Sequence, residues 1–245
     1  MSAPPRLLPL GDAAWTVEFG RDIAPAAHAR VLGLARALEA LDAAGQCPEG
    51  LIEWAPSFRS LSVYFDPARL DGKALGQQLL ELARNSQQHT AKGRHWRLPV
   101  CFEGEFAPDL AAVARACSLT EPDVVGLMAE TVFTVYMIGF LPGFPYLGGL
   151  PEALDMPRLT TPRTRVPARS VAIAGRMAAA YPWESPGGWH LLGRTPIPLF
   201  DAQREQGPAL LAPGDTLQWE AIDRDRYQSL EQAMLAGELT LEELG

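Results

Sequence analysis

The alternation of apolar and polar positions changes rhythm partway along the chain. Ala13–Phe19 reads as a strand, opened by Gly11-Asp12 and closed by Gly20. From Pro25 to Leu41 the residues Val31, Leu34, Leu38 and Leu41 recur at helical spacing. Two short strands follow, Leu51–Trp54 and Leu61–Phe65, on either side of Pro56-Ser57-Phe58-Arg59. Asp66 reads as the cap of a helix whose first residue is Pro67, with Leu70, Leu75, Leu79 and Leu82 as its buried stripe. A polar segment, 85–93, leads into a further strand, Trp96–Phe102. The order β-α-β-β-α-β is that of a ferredoxin-like split βαβ unit, predicting an N-terminal domain over residues 1–93.

Beyond Glu103 the pattern predicts two short helices. One covers Pro108–Cys117; the other starts at Thr120, with Asp123 completing a capping box. After Thr131 helical periodicity almost disappears. Phe133–Ile138, Ser170–Ala174, Trp189–Leu192 and Thr216–Ala221 read as strands, separated by Leu-Pro-Gly, Ser-Pro-Gly-Gly and Ala-Pro-Gly-Asp turns. Short strands with frequent turns predict a small closed barrel or sandwich over residues 94–245. Its tail, from Arg224 to Gly245, reads as one or two surface helices. The fold class is α+β.

Composition narrows the function. A chain of 245 residues, 47% hydrophobic and 20% charged, folds as one large or two ordinary domains. A net charge of −8 argues against nucleic acid or an anionic membrane as the partner. Lys73 and Lys92 are the sole lysines, so a general-base or Schiff-base lysine is missing from the C-terminal half. Cys47, Cys101 and Cys117 are odd in number and form no C-x-x-C pair, which fits buried thiols in a reducing compartment. No run of about 18 apolar residues and no apolar leader is present, so a cytoplasmic location is expected. Neither a P-loop nor a G-x-S-x-G elbow occurs. His28, His89, His95 and His190 show no metal-ligand spacing, so no metal site is expected; His89 and His95 read as solvated in a polar linker.

The remaining candidate chemistry lies between Gly139 and Pro196, where glycines and prolines crowd beside aromatics and arginines. Gly139-Phe140-Leu141-Pro142-Gly143-Phe144-Pro145-Tyr146-Leu147 combines close backbone approach with set turns, as a ligand loop or as a tight barrel corner. In Pro157-Arg158 and Pro162-Arg163-Thr164-Arg165-Val166-Pro167, an extended backbone puts Arg163 and Arg165 on one face. A carboxylate or phosphate between them would relieve their repulsion; so would ion pairs with the chain's own acids. Tyr181-Pro182-Trp183-Glu184-Ser185-Pro186-Gly187-Gly188-Trp189-His190 offers a Gly-Gly backbone suited to an anion, with Glu184 as a possible base and Ser185 or His190 as hydrogen-bonding groups.

Taken together, Gly139–Leu147, Pro157-Arg158, Pro162-Arg163, Val166-Pro167, Ser170–Gly175, Tyr181-Pro182, Ser185–Trp189 and Gly193-Arg194-Thr195-Pro196 resemble the family of the B subunits of bacterial 5-oxoprolinase, also called KipI-like or allophanate hydrolase subunit 1. Gly11-Asp12, Pro56, Ser60–Val63, Pro99-Val100-Cys101, Pro108–Leu110 and Pro213-Gly214-Asp215 extend the resemblance over nearly the whole chain. It implies a ferredoxin-like N-terminal domain and a cyclophilin-like β-barrel from about residue 97. It also implies ATP, partner subunits C and A of 5-oxoprolinase, and the opening of 5-oxo-L-proline to L-glutamate, with the B and C subunits phosphorylating the lactam. The same resemblance leaves two alternative functions open: a KipI-like inhibitor of a sensor histidine kinase, or half of a biotin-dependent urea/amide carboxyltransferase. On this reading Arg158, Arg163, Arg165, Gly187 and Gly188 are the candidate anion-holding residues, with Tyr146 and Trp189 as walls; no catalytic residue is assigned. The chain departs from the family at Arg169, where a glycine is expected, at Arg176-Met177-Ala178-Ala179, where Asn-Gln-Thr-Gly is usual, and near Met128, where a histidine is common. These departures predict a loss of polar groups within the site.

Overall fold

The computed structural model describes residues 4–86, 93–204 and 207–238. The chain divides into two compact units, residues 1–91 and 92–245. His89 and the tail beyond residue 238 lie outside the described residues.

The first unit has four strands, β1 (Arg6–Pro9), β2 (Ala14–Glu18), β3 (Leu51–Pro56) and β4 (Ser60–Phe65), and two helices, α1 (Pro25–Ala43) and α2 (Gly72–Asn85). The strands form one antiparallel sheet in the order β1-β2-β4-β3. Period-2 alternation in β4 buries Leu61, Val63 and Phe65 in one cluster with Val31, Leu34 and Leu38 of α1 and Leu75 and Leu79 of α2. Two expectations are corrected. The strand expected to close the ferredoxin-like sheet, Trp96–Phe102, belongs to the barrel, and the sheet's edge beside β2 is β1. Helix α2 starts five residues later than Pro67, because Asp66 turns back onto the N–H of Ala68 (2.9 Å). Asp71 is the cap, accepting from the N–H groups of Lys73 (2.8 Å) and Ala74 (3.4 Å).

At the end of β2, Glu18 is only 6% exposed and receives guanidinium groups from both Arg6 and Arg59. The hydrogen bond from Arg6 holds its carboxyl below the usual range, against burial; the charges of Arg59 and Arg6 add to the effect. A depressed folded pKa gives stability that is complete above the free-glutamate value of 4.5 and is lost as pH falls through the folded value.

The second unit opens with β5 (His95–Cys101), α3 (Leu110–Ala116) and α4 (Glu121–Glu130). The expected Thr120–Asp123 capping box starts α4. There follow β6 (Val132–Ile138), β7 (Pro145–Gly148), β8 (Arg163–Val166), β9 (Ser170–Ala174), β10 (Met177–Ala180), β11 (Ser185–Gly187), β12 (His190–Arg194), β13 (Thr216–Ile222) and α5 (Arg224–Ala236). Seven strands close a barrel in the order β10-β7-β6-β13-β5-β12-β9, while β8 and β11 pair as a separate ribbon. β5 and β13 run parallel over seven residue pairs, from His95–Thr216 to Cys101–Ile222. Trp96, Leu98, Phe133, Val135, Leu147, Ile173, Leu192, Leu217 and Trp219 fill the interior, with Val113 of α3 and Val124 and Met128 of α4 in the same cluster. No helix among the described residues is long and apolar enough to cross a membrane.

Asp215 locks the parallel pair. It is 6% exposed and accepts from the N–H groups of Arg94 (2.9 Å) and Ala212 (2.9 Å) and from the Trp96 indole (3.0 Å). In Asp215→Ala these buried donors lose their acceptor, and stability should fall by about 3 kcal/mol, read as a lower urea midpoint. Glu18→Gln should cost about 1–2 kcal/mol at pH 7, because its arginines are half solvated, and should flatten the loss of stability on acidification; urea titrations at pH 7 and pH 4 measure both.

Candidate functional site

The segment joining β6 to β7 turns at Gly143, whose φ is +76°. A Cβ there would lie 2.7 Å from Phe200 Cβ and 2.9 Å from the Leu199 carbonyl, so both conformation and space call for glycine. The turn delivers Phe144 into the barrel wall as the hub of an aromatic cluster. Its ring centroid lies 5.0 Å from Tyr146, 5.0 Å from Tyr181 and 6.3 Å from Trp189. Ala172 and Ala174 of β9 and Ala179 of β10 belong to the same cluster, their small side chains leaving room for the rings.

Over this cluster opens a cavity of about 520 Å³. Tyr146, Tyr181 and Trp189 wall it, the β11 residues Ser185–Gly187 and then Gly188 form one side, and Arg158 is its one lining cation. The Arg158 guanidinium lies 5.8 Å from the centre of the Trp189 ring and forms no ion pair with any described residue. Its neighbours in the chain are both tied down. His190 Nε2 donates to the Pro157 carbonyl (2.9 Å), and the Leu159 N–H donates to the Gly188 carbonyl (2.8 Å). Burial pushes the hydroxyl pKa of Tyr146 up and that of Tyr181 up to about 12, each opposed by the charge of Arg158. Both phenols are therefore protonated near neutral pH. The site combines a committed geometry with an uncommitted positive charge, which suits a small anion bearing a flat apolar body.

Five of the seven residues expected from sequence meet here: Tyr146, Arg158, Gly187, Gly188 and Trp189. The expected convergence of Arg163 and Arg165 on an anion is corrected. Arg163 pairs with Asp109 (2.6 Å), which also accepts the Leu191 N–H (2.7 Å), and it donates to the Trp189 carbonyl (3.4 Å). Arg165 is exposed and pairs with Glu184 through two bonds (3.0 and 2.8 Å). The same ion pair removes Glu184 as a base facing the cavity. His190 supports Arg158 from behind. Phe140, Phe144 and Tyr181 line the site without having been singled out; the signal was an aromatic beside each Gly/Pro turn.

The departures from the family pattern also find places. Arg169 has φ +65°, a conformation costing roughly 1–2 kcal/mol for a side chain with a Cβ. Its guanidinium compensates by donating to the Pro196 carbonyl (2.7 Å) and pairing with Glu231 of α5. Arg176 is exposed at the β9–β10 turn, Ala178 is in the barrel interior, and Met177 and Ala179 pack against the aromatic cluster. None of Arg176–Ala179 lines the cavity, so the expected loss of polar groups within the site is not what the geometry places there. Met128 is buried on α4, in the core cluster of the second unit.

The two glycines differ in a testable way. A Cβ on Gly187 would meet Tyr181 Oη at 2.3 Å, whereas one on Gly188 would meet Pro162 at an ordinary 3.6 Å. Gly187→Ala should lower the thermal midpoint by several degrees, about 1–3 kcal/mol of overpacking, and change the near-UV tyrosine signal. Gly188→Ala should leave both within about 1 °C.

A family model described as carboxyltransferase domain, subdomain C and D, matches residues 5–211. The chain is similar to the 5-oxoprolinase B subunit of Bacillus subtilis, 35% identical over 237 residues that cover 91% of this chain and 95% of that protein. It is 43% identical to the 5-oxoprolinase B subunit of Haemophilus influenzae, over 71% of this chain and 81% of that one. Among solved structures it is similar to TTHA0988, with a TM-score of 0.74 and 37% identity; the match covers 86% of this chain but 40% of the longer one. The urea carboxylase of Kluyveromyces lactis, 21% identical with a TM-score of 0.74 over 94% of this chain and 23% of that chain, shares the fold. With these two relatives, a third of the same name from Escherichia coli O157:H7 (36% identical over 86% of this chain and 93% of that protein) and a family model over most of its length, the chain belongs to the family of 5-oxoprolinase B subunits, which are carboxyltransferase-domain (subdomain C and D) proteins.

Proposed function

We propose that this chain is the B subunit of a cytoplasmic, ATP-dependent 5-oxoprolinase that works with the C and A subunits to convert 5-oxo-L-proline to L-glutamate. In this reading the N-terminal unit derives from a ferredoxin-like fold, with β1 in place of its last strand, and the barrel is of the cyclophilin-like kind. The observation that supports it is Arg158, which forms no ion pair among the described residues and lines an aromatic cavity of about 520 Å³. The substrate is a small carboxylate on a flat five-membered lactam. Arg158 takes the carboxylate in a bidentate pair, and the ring lies against Trp189 and Tyr146. Gly187 and Gly188 keep that side of the cavity low, and Ser185 lines it beside them. Arg163 acts at one remove, through the Trp189 carbonyl.

ATP does not fit the barrel cavity with this chain alone. A triphosphate carries several negative charges, and a single arginine lines the cavity. The nucleotide's other contacts in this reading come from outside the barrel cavity.

Reconstituting the chain with its C and A partners and following ATP-dependent glutamate release tests the proposal. Arg158→Ala should lower kcat/KM at least tenfold, about 1.4 kcal/mol or more, and Arg165→Ala should leave it unchanged. Full activity in Arg158→Ala would remove the assigned role of that arginine, and no glutamate release from the intact assembly would remove the proposed activity.

A further inference from the structure

The N-terminal unit holds a cavity of its own, of about 590 Å³, which the barrel site does not use. Arg6, Arg21 and Arg30 line it, and Arg59 reaches its edge by donating to the carbonyl of Gly20 (2.5 Å), itself a lining residue. Two carboxylates stand among these four guanidinium groups: Glu18, already paired with Arg6 and Arg59, and Asp22 in the lining. The cavity therefore carries a local surplus of positive charge on a chain whose net charge is −8. Arg21 is exposed and forms no ion pair with any described residue. Arg30 lies 4.7 Å over the Phe19 ring. It also donates to the Phe19 carbonyl (3.4 Å), and burial lowers its pKa.

The backbone adds to the same field. Helix α1, 19 residues long, begins at Pro25 with no side chain capping its end and no acid in its first turn. Ala26 and Ala27 line the cavity, and their N–H groups precede the first intrahelical bond, from His28 N to Ala24 O. Arginine forks approaching from several directions match a group with many oxygens better than a single planar carboxylate.

We infer that this cavity is a binding site for a phosphate-rich anion, held by Arg21, Arg30 and Arg6 against the N–H groups of Ala26 and Ala27. The shared chemistry is that of a nucleotide's phosphate tail and of a free polyphosphate. The site stands independently of the reading of the barrel cavity.

The test is an NMR titration of the full chain, first with inorganic pyrophosphate and then with ATP. Saturating amide shifts are expected at Gly20, Ala26 and Ala27. The dissociation constant should rise tenfold or more in Arg21→Ala, which touches nothing the fold needs, and saturation should be lost in Arg21→Ala/Arg30→Gln. The same shifts should persist in Arg158→Ala, so a failure of the barrel reading would leave this site standing. ATP binding threefold or more tighter than pyrophosphate would support a nucleotide as the source; equal affinity would support phosphate groups alone. No saturating shift in residues 19–30 with either probe, or unchanged affinity in Arg21→Ala, would overturn the inference.

Discussion

The barrel depends on one long-range pairing. β5 and β13 lie side by side in parallel although His95 and Thr216 are 121 positions apart, and the chain must enclose the rest of the second unit before that contact can form. The pairing is completed by a carboxylate. Asp215 collects the backbone N–H groups of Arg94, just before β5, and of Ala212, which opens the Ala-Pro-Gly-Asp turn, together with the Trp96 indole. On the other side β5 meets β12 at the single pair Arg194–Cys101, so the seam is held mainly from the β13 side. Closure places β7, β9, β10 and the start of β12 in one wall, and that wall gives Phe144 most of its partners.

From the wall the site follows by packing. Alanines in β9 and β10 admit four aromatic rings, the rings present a shallow apolar surface, and the β8–β11 ribbon stands beside it. The chain's acids then decide which arginines stay available. Asp109 takes Arg163 and Glu184 takes Arg165, while Arg158, held at both neighbouring residues by His190 and Gly188, is left facing the cavity. What sets Arg158 apart is its place, as the one cation lining the aromatic cavity.

Much of this was legible beforehand. Strands β6, β9 and β13, helix α1 and the Thr120 cap lie close to where periodicity and capping put them, because each is specified by neighbouring residues. The sheet membership of β5 was not legible, since its partner is remote and the buried run from Leu98 to Phe102 serves either sheet equally well. The ion pairs of Arg163 and Arg165 join residues 54 and 19 positions apart, with no local pattern to announce them. The start of α2 was misplaced for a local reason: Asp66 and Asp71 are both good caps, and the turn at Asp66 is satisfied after a single bond.

The central claim is that the aromatic cavity under Arg158 receives the substrate's carboxylate. A crystal structure of the assembled enzyme with 5-oxo-L-proline bound tests it most directly. The account predicts the carboxylate within hydrogen-bonding distance of the Arg158 guanidinium and the lactam ring against Trp189, with the Asp109–Arg163 pair intact. A substrate bound away from this cavity, with Arg158 turned to solvent, would contradict it.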